Sequence, residues 1–245
     1  LAIGKERYVP YGERKPQELL TTANSILGFG QASLAKYLMI VAEEDNTGLT
    51  TNDGEGFYRH LLERVDFTRD LHFQTNTTID TLDYSGTGLN CGSKLVIAAA
   101  GKKKRNLTGQ IPGDLKLPAG FNSPKMVIPG IMALQANKFT DYEKVSEYFE
   151  ALNQLNLTNE IPLIIICDDS GFVSESLKNF LWVTFTRSNP SHDVHGINSF
   201  TEHKHWGCHG ALIIDARIKP HHAPPLVEDD EVTKKVAHLA LGCLP

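Results

Sequence analysis

Five histidines and a cysteine crowd the last third of the chain: His203, His205, Cys208 and His209 lie close together, and His221-His222 follow. Imidazole nitrogen and thiolate sulfur are the ligands zinc prefers. Their spacing matches no established finger or ribbon. No metal is therefore expected, with His203, His205, Cys208 and His209 as the candidates if one binds. Carboxylates form a second group. Glu43-Glu44-Asp45 and Asp168-Asp169 each follow an apolar run, where open α/β sheets place their ligand crevice. No calcium-loop pattern surrounds them, so solvated turns are expected. A third group occurs twice, as Arg64, Asp70 and His72 and as Arg187, Asp193 and His195. An Arg at a helix end complements the macrodipole and can pair with an Asp a turn away, which makes these six a structural corner. The sequence lacks Gly-x-Ser-x-Gly, a phosphate-binding Gly-rich loop and His-Glu-x-x-His, so the motifs of hydrolases, P-loop enzymes and zincins are missing. No catalytic residue is assigned in this chain.

The composition sets the class of protein that must position such groups. With 245 residues, 41% of them hydrophobic and 22% charged, the chain has material for one large or two small folded domains. A net charge of −5 gives no field to attract phosphate backbones, so nucleic acid is not an expected partner. The one basic run, Lys102-Lys103-Lys104-Arg105, reads as solvated linker. Four cysteines, Cys91, Cys167, Cys208 and Cys243, stand far apart and are expected reduced. No apolar run approaches the roughly 20 residues of a membrane span, and a cytoplasmic protein is expected. The Asn-x-Thr sequences at Asn76, Asn106 and Asn156 are then chance matches. Leu1 opens the chain without a start-of-domain signature, as in a piece of a longer protein.

Apolar periodicity predicts a helix over 16–34, a buried strand over 37–42, a helix over 56–65 and extended segments at 71–73 and 95–98. Residues 101–124, punctuated by Pro112, Gly113, Pro118, Gly120 and Pro124, read as a connection. Beyond it come a strand over 126–134, a helix over 141–155 and a strand over 163–167. A helix capped by Ser174 follows, and a last helix spans 229–241.

The second series repeats the first. Residues 38–44 lie over 163–169, residues 64–72 over 187–195, and residues 91–99 over 208–216. A shared plan predicts duplication: a first α/β domain over 1–105, a linker over 106–124 and a second, diverged copy over 125–245. The expected fold class is α/β, with two similar small domains, each a mixed sheet with flanking helices, related by a pseudo-twofold.

Several segments resemble one family. Ala35-Lys36-Tyr37 through Glu43-Glu44-Asp45 is similar to the Thr-Lys-Phe strand and acidic cluster of the C-terminal domain of UbiD-like decarboxylases. Arg64-Val65-Asp66 to Asp70 resembles that family's Arg-x-Asp-Pro-x-x-Asp corner, with Asn189-Pro190 and Asp193 nearer still. Gly88-Leu89 with Gly92-Ser93-Lys94 resembles the domain's Gly-Leu-Gly-Ser-Lys, and Ile214-Asp215-Ala216-Arg217-Ile218-Lys219-Pro220 its Ile-Asp-Ala-Thr-Lys stretch. The resemblance implies a parent enzyme that removes CO₂ from unsaturated or aromatic acids on prenylated FMN with a divalent metal. Those groups belong to an upstream flavin domain with a Glu-x-Pro-x-x-Glu motif. Here the nearest match, Glu160-Ile161-Pro162-Leu163-Ile164-Ile165, lacks the second carboxylate. No cofactor is expected on this chain by itself. The segment before the first strand approaches cofactor and substrate in the family, which makes Gln31, Ser33 and Lys36 the pocket-facing candidates.

What the resemblance implies is an oligomerisation and substrate-lid region, inactive alone, of a carboxy-lyase in quinone biosynthesis, in the menaquinone branch. Its partners would be its own flavin domain, further copies of itself and an aromatic or polyprenylated aromatic acid. Two alternatives stand beside it: a structural interaction module without substrate contact, and a small metal-binding protein.

Overall fold

Apolar runs that stop at acids become the middle strands of two sheets. The computed structural model of the chain describes residues 1–5, 11–12, 14–143, 145–155, 157, 159–224 and 229–241. The elements of the first half are β1 (Ala2–Gly4), α1 (Leu19–Leu27), β2 (Tyr37–Ala42), α2 (Gly54–Arg64), β3 (Leu71–Thr78) and β4 (Cys91–Ala99). The second half runs through β5 (Phe121–Ile128), β6 (Ile131–Ala136), α3 (Val145–Glu150), β7 (Leu163–Cys167), α4 (Ser170–Glu175), α5 (Leu177–Thr186) and α6 (Pro190–Asp193). It continues with β8 (Val194–Gly196), β9 (Ser199–Glu202), β10 (His205–Cys208), β11 (Leu212–Asp215) and α7 (Asp230–Leu241).

One sheet has the order β1-β2-β4-β3 and the other β5-β6-β7-β11-β8, with β9 and β10 as a separate hairpin. In the first sheet β1 and β4 run parallel to β2 while β3 runs antiparallel to β4. In the second, β6 and β11 run parallel to β7 while β8 runs antiparallel to β11. Both are mixed sheets flanked by helices, as expected of the fold class.

A single core lies between them. Met39, Val41, Leu95, Ile97, Ile165, Cys167, Leu212 and Ile214 meet there with Phe57 of α2 and Phe180 of α5. Tyr58 and Phe180 contact edge to face at 5.5 Å. Each such fully buried apolar side chain contributes about 1.5–3 kcal/mol relative to exposure. The outer faces carry smaller cores, one under α1 and one under α3.

Several expectations need correction. The helix read over 16–34 breaks at Gly28–Gly30, where Gly30 takes a φ of 47°, and resumes as a 3-10 turn over Gly30–Leu34. The strand read over 126–134 is a hairpin, β5 and β6, turning at Pro129-Gly130 with φ 87° at the glycine. The helix read over 141–155 is shorter, α3 with a 3-10 turn over Ala151–Gln154. Ser174 is not the expected cap. Asp169 caps α4 and Ser176 caps α5, accepting the Asn179 N–H at 3.1 Å. β1 and the β9–β10 hairpin carry no apolar periodicity that announces them. Cys243 lies outside the described residues.

The alignment of the halves also shifts. Alternate strand residues face opposite sides, so a slip of one residue exchanges the faces. Setting residue 38 on 163 would place Met39 on Ile164. Met39 and Val41 instead share the central core with Ile165 and Cys167, while Ile164 and Ile166 face outward. Pairing agrees, since Tyr37 pairs with Leu95 as Leu163 pairs with Leu212. By register, Tyr37 takes the position beside β4 that Leu163 takes beside β11.

Candidate functional site

The halves meet along a seam of buried charge, and Lys36 stands at its first-half side. A 3-10 turn ends at Leu34 and β2 starts at Tyr37, which fixes Lys36 at the entrance to a buried strand. Its ammonium meets the Asp83 carboxylate at 2.7 Å and donates to Ser85 Oγ at 2.5 Å. Both partners lie on the loop between β3 and β4. Burial lowers the Lys36 pKa, and the charges of Asp83 and Asp193 oppose that shift.

The second half supplies more charge. Asp193 Oδ1 lies 3.3 Å from the fully buried Lys219 Nζ and accepts from the Tyr142 hydroxyl at 3.3 Å. Burial pushes the Asp193 carboxyl up to about 6 despite Lys219. Lys219 also donates to the carbonyls of Asp215 and Arg187, at 2.9 and 3.2 Å. Arg187 caps the C-terminal end of α5, where a cation complements the helix dipole. Burial works against ionisation of Asp215, but the Arg217 fork, at 2.8 and 2.7 Å, holds its carboxyl below the usual range. The rings of Phe139, Tyr148 and Phe149 surround that guanidinium within 5.9 Å.

Neutral hydrogen bonds stitch the remaining seam. Tyr37 and Ser188 share a hydroxyl contact of 2.7 Å. Ser93 Oγ donates to Asn189 Oδ1 at 2.5 Å and accepts the Ser191 N–H at 2.8 Å. Gly207 packs against the Phe67 carbonyl so closely that a Cβ would lie 2.7 Å from it. Two clefts open here, of about 660 Å³ beside Trp182 and Phe185 and about 550 Å³ beside Tyr142 and His192. Asp83 and Tyr84 line both. The arrangement can hold a carboxylate against a buried ammonium beside apolar walls.

Of the three pocket-facing candidates, only Lys36 is buried in this seam. Gln31 is exposed, and Ser33 Oγ donates to the local Gly30 carbonyl at 2.7 Å. The six corner residues divide. Asp70 Oδ2 accepts the Asp66 N–H at 2.9 Å, and Asp193 Oδ2 accepts the Asn189 N–H at 2.6 Å, one device used twice. The arginines do not join it. Arg64 donates to the carbonyls of Gly101 and His60 at 3.1 and 3.0 Å, and Arg187 lies 3.6 Å from Asp168. The pairing expected from spacing goes instead to Arg69 for Asp70 and Lys219 for Asp193. His72 faces His205 at 6.2 Å, while His195 stacks on Phe149 at 4.2 Å. Two of the strand-end acids are structural acceptors: Asp45 takes the Gly101 N–H at 2.7 Å and Asp168 the Ile218 N–H at 2.8 Å.

The histidine-rich segment is the β9–β10 hairpin, turning at His203-Lys204 with φ values of 48° and 66°. His203 points to solvent near Glu202, His205 Nε2 meets the Thr68 carbonyl at 3.0 Å, and His209 lies against Phe200. Burial pushes the Cys208 thiol up to about 12. Among the described residues no three His, Cys, Asp or Glu side chains are grouped to hold a metal. The Glu160-Ile161-Pro162 segment leads straight into β7, whose Ile164 and Ile165 are fully buried in opposite cores. A second carboxylate has no place there, so this segment does not fit the flavin-and-metal donor set. Sequence reasoning missed Asp83, Ser85 and Tyr142 and gave Lys219 no role beyond its place in the family-like stretch; Asp83-Tyr84-Ser85 carries turn chemistry alone as a local signal.

Comparison with known proteins gives these residues a context. Residues 1–99 match the family model described as the 3-octaprenyl-4-hydroxybenzoate carboxy-lyase C-terminal domain of UbiD. An uncharacterised protein of Chlamydia trachomatis is 34% identical over 236 residues, covering 96% of this chain and 37% of its own length. A Chlamydia pneumoniae protein named as one subunit of 4-hydroxybenzoate decarboxylase is 33% identical over 247 residues, again 96% of this chain and 37% of the relative. The chain thus spans a little over a third of the length of the curated relatives it matches. Among solved structures, the open form of vanillic acid decarboxylase from Sedimentibacter hydroxybenzoicus matches with a TM-score of 0.27 at 19% identity. That match covers 45% of this chain and 27% of the other. No helix among the described residues is long and apolar enough to cross a membrane.

Proposed function

We propose that this chain, whose residues 1–99 carry the C-terminal domain of the UbiD carboxy-lyases, is the assembly and pocket-closing region of a non-oxidative decarboxylase for an aromatic acid. The observation that carries the reading is the alignment of 96% of the chain, both halves included, with a relative named as part of a decarboxylase. Prenylated FMN and its divalent metal would be held by the preceding part of the parent, since the Pro162 segment here is committed to β7. The substrate would be an aromatic or polyprenylated aromatic acid of quinone biosynthesis in the cytoplasm.

The halves are read as one unit duplicated about a pseudo-twofold, divided at residues 106–124. Matching strand order and sense and the shared Asp70 and Asp193 corners support that reading. Lys36 is read as the pocket-facing residue, because it is the buried cation beside the clefts in the segment that the family brings to its substrate.

The test is CO₂ release from 4-hydroxybenzoate-type acids by the full-length protein loaded with prenylated FMN and Mn²⁺. Lys36→Met is expected to lower kcat/KM by about tenfold, the loss of one charge-assisted contact, at an unchanged oligomeric state. Absence of CO₂ release from every aromatic acid offered would remove the reading. Full activity in Lys36→Met would leave this region as an assembly module.

A further inference from the structure

The loop from Ile79 to Asn90 is closed at its base and tied at its tip. At the base the Asn90 amide donates to the Ile79 carbonyl at 3.1 Å and to Thr81 Oγ1 at 2.9 Å. Within the tip, Asp80 accepts the Leu82 N–H at 2.8 Å and Asp83 the Ser85 N–H at 2.9 Å, so each acid folds its own short turn. Ser85 Oγ also donates to Asp83 Oδ1 at 2.6 Å, which makes the two residues one unit. That unit grips the body of the protein through Lys36, with His221 against the Ser85 backbone beside it.

The loop exposes large apolar groups. Leu82 is 79% exposed, Leu89 76% and Tyr84 58%. A cleft lies on either side, one walled by Trp182, Phe185 and Ile218 and the other by Tyr142 and His192. Asp83 lines both clefts, whereas the Lys36 side chain is only 6% exposed and lies behind it. The loop carboxylate, and not the ammonium, is therefore the charge that faces both clefts.

We propose that Asp83 is an internal stand-in for a ligand carboxylate: an acid with an apolar ring displaces it from Lys36, and the freed loop lets the two clefts join. The inference rests on Lys36 being the pocket-facing residue and adds a gating device to that reading. Exchange of one carboxylate for another keeps the buried ammonium paired, so the step avoids stranding a charge. The ring of the acid gains the apolar walls of Trp182 and Phe185. Asp83 leaves together with Ser85, since their side chains are bonded to each other.

Amide hydrogen exchange of residues 80–89 in the full-length protein, with benzoate as the probe and methyl benzoate as its uncharged counterpart, tests this without turnover. Benzoate is expected to speed exchange about threefold, and methyl benzoate to leave it unchanged. In Asp83→Asn exchange should be fast without ligand and benzoate should bind about tenfold tighter, because the competing carboxylate is gone. In Lys36→Met the benzoate response should vanish. Unchanged exchange in the wild-type protein under saturating benzoate would overturn the proposal, as would an equal response to the ester. A loop that loosens with benzoate in a protein that releases no CO₂ would keep the latch and reject the carboxy-lyase. Turnover with an unresponsive loop would do the reverse.

Discussion

The corner at Asp66–Asp70 and the corner at Asn189–Asp193 are the same piece of backbone engineering in two electrical settings. In each, an Asp side chain accepts the N–H four residues earlier, and the chain then enters an antiparallel strand. Asp70 then pairs with Arg69, whose side chain is 30% exposed, whereas Asp193 pairs with Lys219, which has no contact with water. A recurring motif therefore identifies the structural device. What surrounds it decides whether the device also carries stored charge.

Removing the acids separates the two corners most. Asp193→Ala strands the Lys219 ammonium in the interior and is expected to destabilise the protein by roughly 3–5 kcal/mol. Asp70→Ala lets Arg69 turn to solvent and should cost about 2 kcal/mol, chiefly the orphaned Asp66 N–H. Urea unfolding midpoints for the pair measure the gap, and equal losses would mean that Lys219 finds another partner.

Acid acts on the buried groups of the second half in opposite directions. His195 is held neutral, since burial pushes its pKa down to about 4 while the unfolded chain keeps the ordinary value. Its stability contribution is complete above about pH 6.5 and falls away as the pH drops towards 4. Asp193, raised to about 6, works in the opposite sense: its protonated form is favoured in the folded chain, so its burden eases between about pH 6 and 4. His195→Leu is expected to remove about 2 kcal/mol of the loss seen between pH 7 and 4.5, allowing for its partial exposure. An identical pH profile in that variant would show that His195 is not the acid-sensitive group.

The smallest effect is the hydroxyl of Tyr37, whose counterpart Leu163 has none. Tyr37→Phe loses the 2.7 Å contact with Ser188 and should cost about 1 kcal/mol by thermal unfolding. A neutral result would place the strength of the seam in its ring packing, which includes Phe185 at 4.8 Å.

The fold was legible where burial leaves a local imprint. Leu163–Cys167 is five apolar residues ended by two acids, and its strand limits are those read from the letters. The His203-Lys204 turn was illegible because neither residue is the Gly or Asn that announces positive φ. The one-residue slip between halves arose in uninterrupted apolar runs, where both faces are buried and no alternation shows which side chain points inward. At the site, Lys36 was legible through its strand and Lys219 as a letter of a family-like stretch, while Asp83 and the pairing of Lys219 with Asp193 were not.

The central strands, the helices that cover them and the recurrence of the corner are written locally in the chain, because apolar periodicity and side-chain caps act over a few residues. Which charges meet is settled by long-range packing. Lys36 finds Ser85 across 49 positions and Lys219 finds Asp193 from a different element. Ion pairing in a buried seam depends on where loops arrive once the sheets have packed, and that arrival leaves no period in the chain.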